Sequence, residues 1–395
     1  MRSVRVLLSC LQSTRKHPIA AYDFWETYFK RGIEEAGWEW VEVPGVDWAE
    51  PLTHSHDESE AARAWRERTW SRVVDFALRE HGARGIDMFL AYLYPRQIET
   101  SAVKELQRLG IPCVNFFCDN VREYRRVPEE YCVFDAHWVP EYGALPMYRD
   151  AGLRCVHAAM PVWVPPERRR SDHAEQYGPT FIGSRDAQRE VLFAKAIRMG
   201  APIRLRGPGW TADRNGMHAS PNAASPLARL ANQRAVVDRF GAVGLLWKLS
   251  YRLHASVPDA VFSSSLDPSV FGDGYADVTQ AASVTIGVNR YPSYYHSFWY
   301  PGTYSRLRDV EAPMLGACYL TEWTDGLEAM YEPGKEVEMF RSADDLVEKV
   351  RQLMADPKRR KSMRREAQRR ALSDHAIPRS LRKVASTIGL AHEPS

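Results

Sequence analysis

The segment from residue 306 to residue 340 most constrains the fold, because it combines helix and strand signals in close succession. An acidic stretch that contains Glu311 opens a short helix, and an apolar strand follows at residues 318–320. A second short strand is predicted at residues 337–340. Such alternating units build a parallel sheet, and ligands bind at the carboxyl edge of that sheet. A carboxylate at Glu311 would face this edge, where it can accept both hydroxyls of a ribose.

The same alternation extends over most of the chain and predicts two Rossmann-like domains. The first domain covers residues 1–165, in which residues 4–10 are mostly apolar, as in a strand buried on both faces. Residues 166–178 carry prolines and clustered charges, which is typical of a linker. The second domain covers residues 179–372, with a helical insertion at about 210–262. A last helix within residues 373–395 is expected to pack back on the first domain.

Length, charge and cysteine usage exclude several classes of protein. The chain has 395 residues, which is too many for one ordinary hydrophobic core. The formal net charge of +3 is small and does not call for nucleic acid as a partner. None of the six cysteines forms a Cys-x-x-Cys pair, so we expect reduced core residues of a cytoplasmic protein, with no disulfide framework and no metal site. No apolar run approaches the length of a membrane span.

Several stretches resemble one known family. The sequence at residues 305–357, SRLRDVEAPMLGACYLTEWTDGLEAMYEPGKEVEMFRSADDLVEKVRQLMADP, is similar to the carboxyl half of the CgeB-like (spore maturation protein) glycosyltransferases. TFIGSRDAQREVLF at residues 180–193 and DPSVFGDGYADVTQAASVTIGVN at residues 267–289 are similar to other parts of that family's C-terminal domain. NFFCDN at residues 115–120 resembles the end of its N-terminal domain.

The resemblance implies an α/β protein of the GT-B class, in which two Rossmann-like parallel-sheet domains face a cleft. Such enzymes take a nucleotide diphosphate sugar as donor, held mainly by the C-terminal domain, and generally use neither a metal ion nor another cofactor. The acceptor would be a hydroxyl of a glycan, a lipid-linked intermediate or a small molecule, bound mainly by the N-terminal domain.

The resemblance also suggests how the donor ribose is held. Glu311 matches the second glutamate of the Glu-x7-Glu motif of related retaining enzymes, which is the ribose ligand. The alternative for Glu311 is a carboxylate that stabilises the start of its helix. The first glutamate of the motif would fall at position 303, where this chain has Thr303. A sugar contact made by that carboxylate and the stereochemical outcome therefore stay open.

Basic residues are the candidates for stabilising the departing diphosphate. Arg185 and Arg189 match places where related enzymes set diphosphate ligands, and we assign Arg185 a catalytic role as well. The alternative for Arg189 is a solvated helix residue. Arg306 and Arg308 precede Glu311; they can reach phosphate, or one of them can pair with a neighbouring carboxylate.

Glycine-rich turns supply further donor-site candidates. Gly183 ends a predicted strand just before Arg185. Gly272, Asp273 and Tyr275 lie at the start of a predicted helix, where glycine lets the backbone approach a ligand and the helix start favours anions. The alternative is an ordinary aspartate cap.

Two residues of the first domain are candidates for acceptor chemistry. Asp119 ends a hydrophobic strand, where a carboxylate can orient an acceptor hydroxyl or act as a base. The alternative is a cap for the segment that follows. His17 lies in the loop after the first strand, a place where GT-B enzymes often contact acceptor or sugar, although an isolated loop histidine is more often incidental.

Three further segments allow two interpretations each. The aromatic segment 289–304 can stack on a base or sugar, or can form a packed loop. The basic segment 358–370 fits a solvated helix face better than a nucleic-acid arm, because no aromatic residues are interleaved. Residues 240–254 combine apolar bulk with basic residues, so they fit either a helix packed on the body or on another subunit, or an interfacial membrane helix.

The sequence therefore predicts a cytoplasmic glycosyltransferase that depends on a nucleotide sugar. A sugar epimerase or phosphorylase on the same fold is a second hypothesis, but no lysine in a persuasive context marks a pyridoxal phosphate site. A third hypothesis is a non-catalytic nucleotide- or sugar-binding protein, or an assembly protein, on a GT-B scaffold. Thr303 keeps that hypothesis open.

Overall fold

The computed structural model describes residues 2–10, 21–53, 60–210, 226–254 and 256–390. Contacts divide the chain into two units. Unit 1 comprises Met1–Trp163 and Leu372–Ser395, and unit 2 comprises Val164–Ala371. Each unit contains one wholly parallel sheet with helices between its strands.

Unit 1 is built on a six-stranded sheet with the strand order β2-β1-β3-β4-β5-β6. Its strands are β1 Arg5–Ser9, β2 Glu39–Val41, β3 Met88–Ala91, β4 Cys113–Phe116, β5 Ala136–Val139 and β6 Cys155–His157. Its helices are α1 Ala21–Glu35, α2 Glu60–Arg84, α3 Thr100–Arg108, α4 Asn120–Glu123, α5 Leu145–Asp150 and α13 Ile377–Thr387. Every residue of β1, β3, β4 and β5 is buried, as the near-continuous apolar runs predict for strands covered on both faces.

The C-terminal helix α13 belongs to unit 1, where it contacts α1, β5 and β6. The approach to α1 is close, since a Cβ placed on Gly32 would lie within 2.6 Å of three side-chain atoms of Ile377. Arg154 Nη1 also donates to the Thr387 carbonyl at 3.2 Å. A glycine at position 32 therefore lets the last helix reach α1.

Unit 2 is built on a five-stranded sheet with the order β11-β10-β9-β7-β8. Its strands are β7 Thr180–Ile182, β8 Arg204–Arg206, β9 Thr285–Gly287, β10 Tyr319–Glu322 and β11 Glu338–Phe340. Its helices are α6 Ala187–Arg198, α7 Pro226–Leu253, α8 Asp273–Ala281, α9 Arg308–Met314, α10 Leu327–Met330, α11 Ala343–Ala355 and α12 Pro357–Asp374. Each strand contributes one fully buried apolar side chain to a common core, namely Phe181, Leu205, Ile286, Leu320 and Phe340.

The prediction of two Rossmann-like parallel-sheet domains is confirmed. The insertion after β8 contains α7, which breaks at Gly241, where φ is 72°. Residues 166–178, which the sequence suggests as a linker, belong to unit 2, where a hydrogen bond and an ion pair hold them. Gln176 N donates to the Ala281 carbonyl at 2.8 Å, and Glu175 forms an ion pair with Arg360 at 2.6 Å.

The cysteines and the helix lengths bear on the class of protein. Four of the six cysteines are buried and all six are free thiols, but Cys132 is exposed and is not a core residue. Among the described helices, none has both the length and the apolar character needed to cross a membrane.

The basic helix α12 corrects one prediction in part. Lys358, Lys361, Arg365 and Arg369 are exposed, as a solvated face requires, but Arg360 and Arg364 are buried. Arg364 donates from Nη1 to the carbonyls of Gln280 and Gly316 at 2.9 and 3.1 Å, and from Nη2 to the carbonyl of Ala282. Burial lowers the pKa of Arg364. Arg365, the next residue, is exposed. Residue type alone could not separate the two, because only the tertiary fold brings the three carbonyls together.

Replacing Arg364 tests this anchoring role. Arg364→Ala leaves buried carbonyl groups without a donor, so we expect the free energy of unfolding to fall by about 2–4 kcal/mol. Urea denaturation followed by circular dichroism measures it, and Arg365→Ala is the matched control that leaves stability nearly unchanged. Equal effects of the two substitutions would contradict the role of Arg364.

Candidate functional site

The strand order of unit 2 places a switch point between β7 and β9. The chain runs from β7 to β8 on one side and then crosses to β9 on the other. In open parallel sheets, ligands bind where the connections at the carboxyl ends diverge in this way. The segments that follow β7 and β9, together with the starts of α6 and α9, therefore supply the candidate site.

Buried Asp309 fixes the position of α9 at this edge. Its carboxylate accepts hydrogen bonds from Arg306 N at 2.8 Å, from Tyr319 Oη at 2.8 Å and from Thr321 Oγ1 at 2.9 Å. Burial raises the pKa of Asp309, although these hydrogen bonds oppose the change. Because Tyr319 and Thr321 belong to β10, the network ties the start of α9 to the sheet.

Glu322, the last residue of β10, holds the segment after β9 against β10. The Glu322 carboxylate accepts from Asn289 N at 3.1 Å and Arg290 N at 2.9 Å, and it pairs with the Arg290 guanidinium. Asn289 Nδ2 donates to the Glu322 carbonyl at 2.8 Å. Sequence reasoning missed both Asn289 and Glu322, although polar residues directly after apolar strands were a usable signal.

Three arginines lie close together beside this framework. The guanidinium carbons of Arg189 and Arg308 are 5.5 and 5.7 Å from the ring centre of Phe181, and that of Arg306 is 4.7 Å from the ring of Tyr304. Burial lowers the pKa of Arg189 to about 10. The positive charges of Arg306 and Arg308 lower it further, whereas the carboxylate of Asp186 raises it. We call Arg189, Arg306 and Arg308 the arginine cluster.

The cluster retains unused hydrogen-bonding capacity. In the described part of the chain, the Nε atoms of all three arginines are buried and form no hydrogen bond, although Arg189 Nε lies 3.3 Å from Asp186 Oδ2. Arg189 is buried, so its interpretation as a solvated helix residue is wrong. Buried polar atoms without partners call for an explanation such as bound water or a ligand. Guanidinium groups suit the oxygens of phosphate.

Arg185 is placed differently, although it is only four residues from Arg189. Its Nε donates to Glu190 at 3.0 Å, its Nη1 to Asp259 at 2.6 Å and its Nη2 to the Val257 carbonyl at 3.0 Å. Two carboxylates and a carbonyl thus engage all three nitrogens. The structure accounts for Arg185 as a tie between α6 and the segment after α7.

Glu311 and Tyr275 lie near Arg308. Glu311 is half-buried on α9, and Arg308 Cζ is 5.8 Å from the ring centre of Tyr275 at the start of α8. Burial and then the charge of Glu311 raise the pKa of Tyr275. Burial disfavours the charged form of Arg308, but Tyr275, Tyr319 and Glu311 outweigh it, so the pKa of Arg308 is raised.

The glycine candidates shape the backbone, and Asp273 is engaged elsewhere. Gly272 precedes α8 with φ of 54°, and exposed Asp273 pairs with Arg168 at 3.0 Å. The Gly183 carbonyl accepts from Trp210 Nε1 at 2.7 Å, and a Cβ on Gly207 would lie 2.5 Å from that carbonyl oxygen. Gly207 therefore allows the backbone after β8 to lie close to the backbone of Gly183 after β7.

The aromatic segment 289–304 is mostly a packed loop. Thr303 is half-buried, and its backbone forms an isolated antiparallel β-bridge with Arg290 at the base of the loop. Phe298 stacks on His254 of the α7 segment with ring centres 4.0 Å apart. Only Trp299 and Tyr300 among its aromatic residues are strongly exposed.

In unit 1, the structure describes one of the two acceptor-site candidates, since His17 lies outside the described residues. Asp119 directly precedes α4, but its side chain makes no capping hydrogen bond, which corrects the cap interpretation. Instead, the carboxylate of Glu141 accepts from Asn120 N at 2.7 Å. Glu141 is buried, and burial, followed by the charge of Asp119, raises its pKa well above the usual 4.5.

This buried glutamate gives a pH-dependent prediction. Because folded Glu141 holds its proton more tightly than the unfolded chain does, its contribution to stability is greatest below pH 4.5 and is lost as pH rises. Glu141→Gln removes this loss, so we expect the stability of the variant to gain on that of the wild type as the pH rises above 4.5, by at most about 1.4 kcal/mol per pH unit.

Urea denaturation across that pH range measures the difference, and the same substitution at exposed Glu129 is the control. Parallel stability curves for wild type and Glu141→Gln would contradict the prediction.

Comparisons with known proteins define the class of protein. A family model described as glycosyl transferase-like matches residues 188–385, which is just over half of the 395 residues. The chain therefore belongs to this glycosyl transferase-like family. A search of curated protein sequences returned no match.

Solved structures of glycosyltransferases share the fold. Sucrose-phosphate synthase from Thermosynechococcus elongatus is 13% identical with a TM-score of 0.55, covering 99% of this chain and 100% of that one. HepE from Anabaena in complex with UDP is 10% identical with a TM-score of 0.54 and the same coverage. AviGT4, a glycosyltransferase involved in avilamycin A biosynthesis, is 14% identical with a TM-score of 0.54 and covers 98% of each chain. The fold is the GT-B class.

Proposed function

We propose that this protein transfers a sugar, in particular a hexose, from a nucleotide diphosphate sugar to an acceptor hydroxyl. The arginine cluster carries the proposal, because it holds three buried Nε donors without hydrogen bonds at the switch point of unit 2. Membership of the glycosyl transferase-like family supports the reaction class. The HepE structures with UDP and UDP-glucose make uridine nucleotides the first donors to test.

The cluster would act on the leaving group. Transfer breaks the bond between the anomeric carbon and the diphosphate oxygen, so negative charge develops on the diphosphate. Preorganised guanidinium groups stabilise that charge without reorganising, and they can supply what a metal ion supplies in other enzymes. Metal independence is therefore part of the proposal. We assign this role to Arg189, Arg306 and Arg308, since Arg185 is already neutralised by Glu190 and Asp259.

Glu311 would bind the ribose. It lies one helical turn after Arg308, so a nucleoside diphosphate held by the cluster would place its ribose hydroxyls toward α9. Asp119 remains our candidate for orienting the acceptor, which would be a glycan, a lipid-linked intermediate or a small molecule. If configuration is retained, the leaving phosphate can itself take the acceptor's proton.

We also propose that the protein belongs to the CgeB-like branch of the family, because residues 305–357 are similar to that branch. We further propose that it is cytoplasmic, which its six free thiols support.

Binding of UDP and of pyrophosphate separates the proposed roles. Arg308→Gln removes a charge-assisted hydrogen bond worth about 1.5–3 kcal/mol, so we expect both ligands to bind about 10- to 100-fold more weakly. Glu311→Ala should weaken the binding of UDP by about tenfold and leave the binding of pyrophosphate unchanged, because only UDP has a ribose. Isothermal titration calorimetry measures both affinities.

Arg341→Gln is the control for charge, since Arg341 is exposed and stacks on Trp323 with its guanidinium carbon 3.7 Å from the ring centre. A wild type that binds neither ligand, or an Arg308→Gln variant that binds both normally, would refute the assignment.

Thermal-shift screening with UDP, GDP, dTDP and CMP then identifies which nucleotide the donor carries, because the nucleotide that binds most tightly stabilises the folded protein most.

Turnover distinguishes an enzyme from a binding protein on the same scaffold. We expect the wild type to release the nucleotide diphosphate from one nucleotide sugar, and Arg308→Gln to be slower by at least about 100-fold, since the developing charge loses a donor. Coupled detection of the released nucleotide measures the rate, with and without added EDTA. Tight nucleotide binding with no turnover of any donor, in the presence of acceptor extracts, would favour the non-catalytic alternative.

A further inference from the structure

The C-terminal half of α7 has one packed face and one exposed apolar face. On the packed face, the ring centre of Tyr251 lies 5.7 Å from that of Tyr294 and 5.2 Å from that of Phe298. Ser250 Oγ also accepts from Phe298 N at 3.1 Å. The helix is therefore held firmly against the aromatic segment 289–304.

The opposite face carries three leucines at the spacing of one helical stripe. Leu246, Leu249 and Leu253 are 63%, 50% and 71% exposed. Their i, i+3, i+7 spacing places them on one side of the helix. Val243, one turn before Leu246, is also exposed. We call these four residues the α7 stripe. Contiguous apolar surface of this kind marks an interaction site.

Two exposed aromatic residues lie next to the C-terminal end of the stripe. Trp299 and Tyr300 follow Phe298, which stacks on His254, the residue after Leu253. Trp and Tyr are the side chains that favour the boundary between water and hydrocarbon. Their exposure is independent of the leucine pattern, because they belong to a different segment of the chain.

The charges around the stripe point to the kind of partner. Residues 240–254 contain no aspartate or glutamate. Arg252 is exposed beside Leu253, and half-buried Lys248 places its ammonium 6.0 Å from the ring centre of Tyr294. An apolar stripe with basic flanks matches an anionic lipid surface, in which leucines enter the acyl region and cations meet the headgroups. An apolar protein partner would not require the absence of acidic residues.

We propose that the α7 stripe, with Trp299 and Tyr300, is a membrane-docking surface that lies in the interface of an anionic bilayer. The helix lies on the membrane and does not span it. This inference is independent of the donor chemistry, and it would give the protein access to an acceptor held in a bilayer.

Vesicle sedimentation of the full chain tests the proposal. We expect the wild type to pellet with vesicles of phosphatidylcholine and phosphatidylglycerol and much less with phosphatidylcholine alone. Replacing Leu246, Leu249 and Leu253 together by Glu should lower the partition coefficient by at least about tenfold, and the milder triple Ser variant should lower it in the same direction. Leu78→Glu is the matched control, because Leu78 is 56% exposed on α2 of unit 1.

The charge contribution is measured separately. Lys248→Gln and Arg252→Gln should each lower binding to the anionic vesicles by about fivefold, with a weaker salt dependence. Unchanged circular dichroism and unchanged UDP affinity of the leucine variants show that the fold and the donor site are intact, so failure of docking is distinguishable from failure of the proposed function.

Two results would overturn the proposal. One is a wild type that stays in the supernatant with anionic vesicles at low salt. The other is a concentration-dependent dimer in analytical ultracentrifugation that the leucine substitutions dissociate, without vesicle binding, which would assign the stripe to a second copy of the chain.

Discussion

The candidate donor site depends on one buried carboxylate. Asp309 is fully buried, and it takes hydrogen bonds from its own helix start and from two side chains of β10. A buried carboxylate is tolerated only when hydrogen bonds or charges compensate its lost hydration. This requirement fixes α9 against β10, and with it the positions of Arg308 and Glu311 on either side. The diphosphate site that we propose here would gain from such rigid support.

Local charge balance, more than residue type, separates the arginines of unit 2. Arg185 is neutralised by Glu190 and Asp259, and Arg364 is bound to three carbonyls of the core. The arginine cluster instead gathers three like charges, in which Arg189 pairs with Asp186 and the charge of Glu311 helps to raise the pKa of Arg308. Like charges brought together in a partly buried site repel one another, so an anion that binds there relieves that repulsion as well as forming hydrogen bonds.

The sequence predicted the fold well, because buried parallel strands leave long apolar runs and the helices between them leave periodic ones. It also placed Glu311, Arg306 and Arg308 in one segment. It could not separate Arg185 from Arg189, since the carboxylate at position 259 that engages Arg185 lies 74 residues away. The hydrogen bonds of Glu141 and Glu322 likewise join segments that are distant in the sequence, since Glu141 accepts from Asn120 N and Glu322 accepts from Asn289 N and Arg290 N. His17 lies outside the described residues, so its role stays a prediction.

The most direct test is a crystal structure of the protein soaked or grown with UDP. The account predicts the diphosphate within hydrogen-bonding distance of Arg189, Arg306 and Arg308, at the carboxyl ends of β7 and β9, with the ribose hydroxyls on Glu311. A nucleotide bound in unit 1, or one whose diphosphate contacts Arg185 while the arginine cluster stays unliganded, would contradict it.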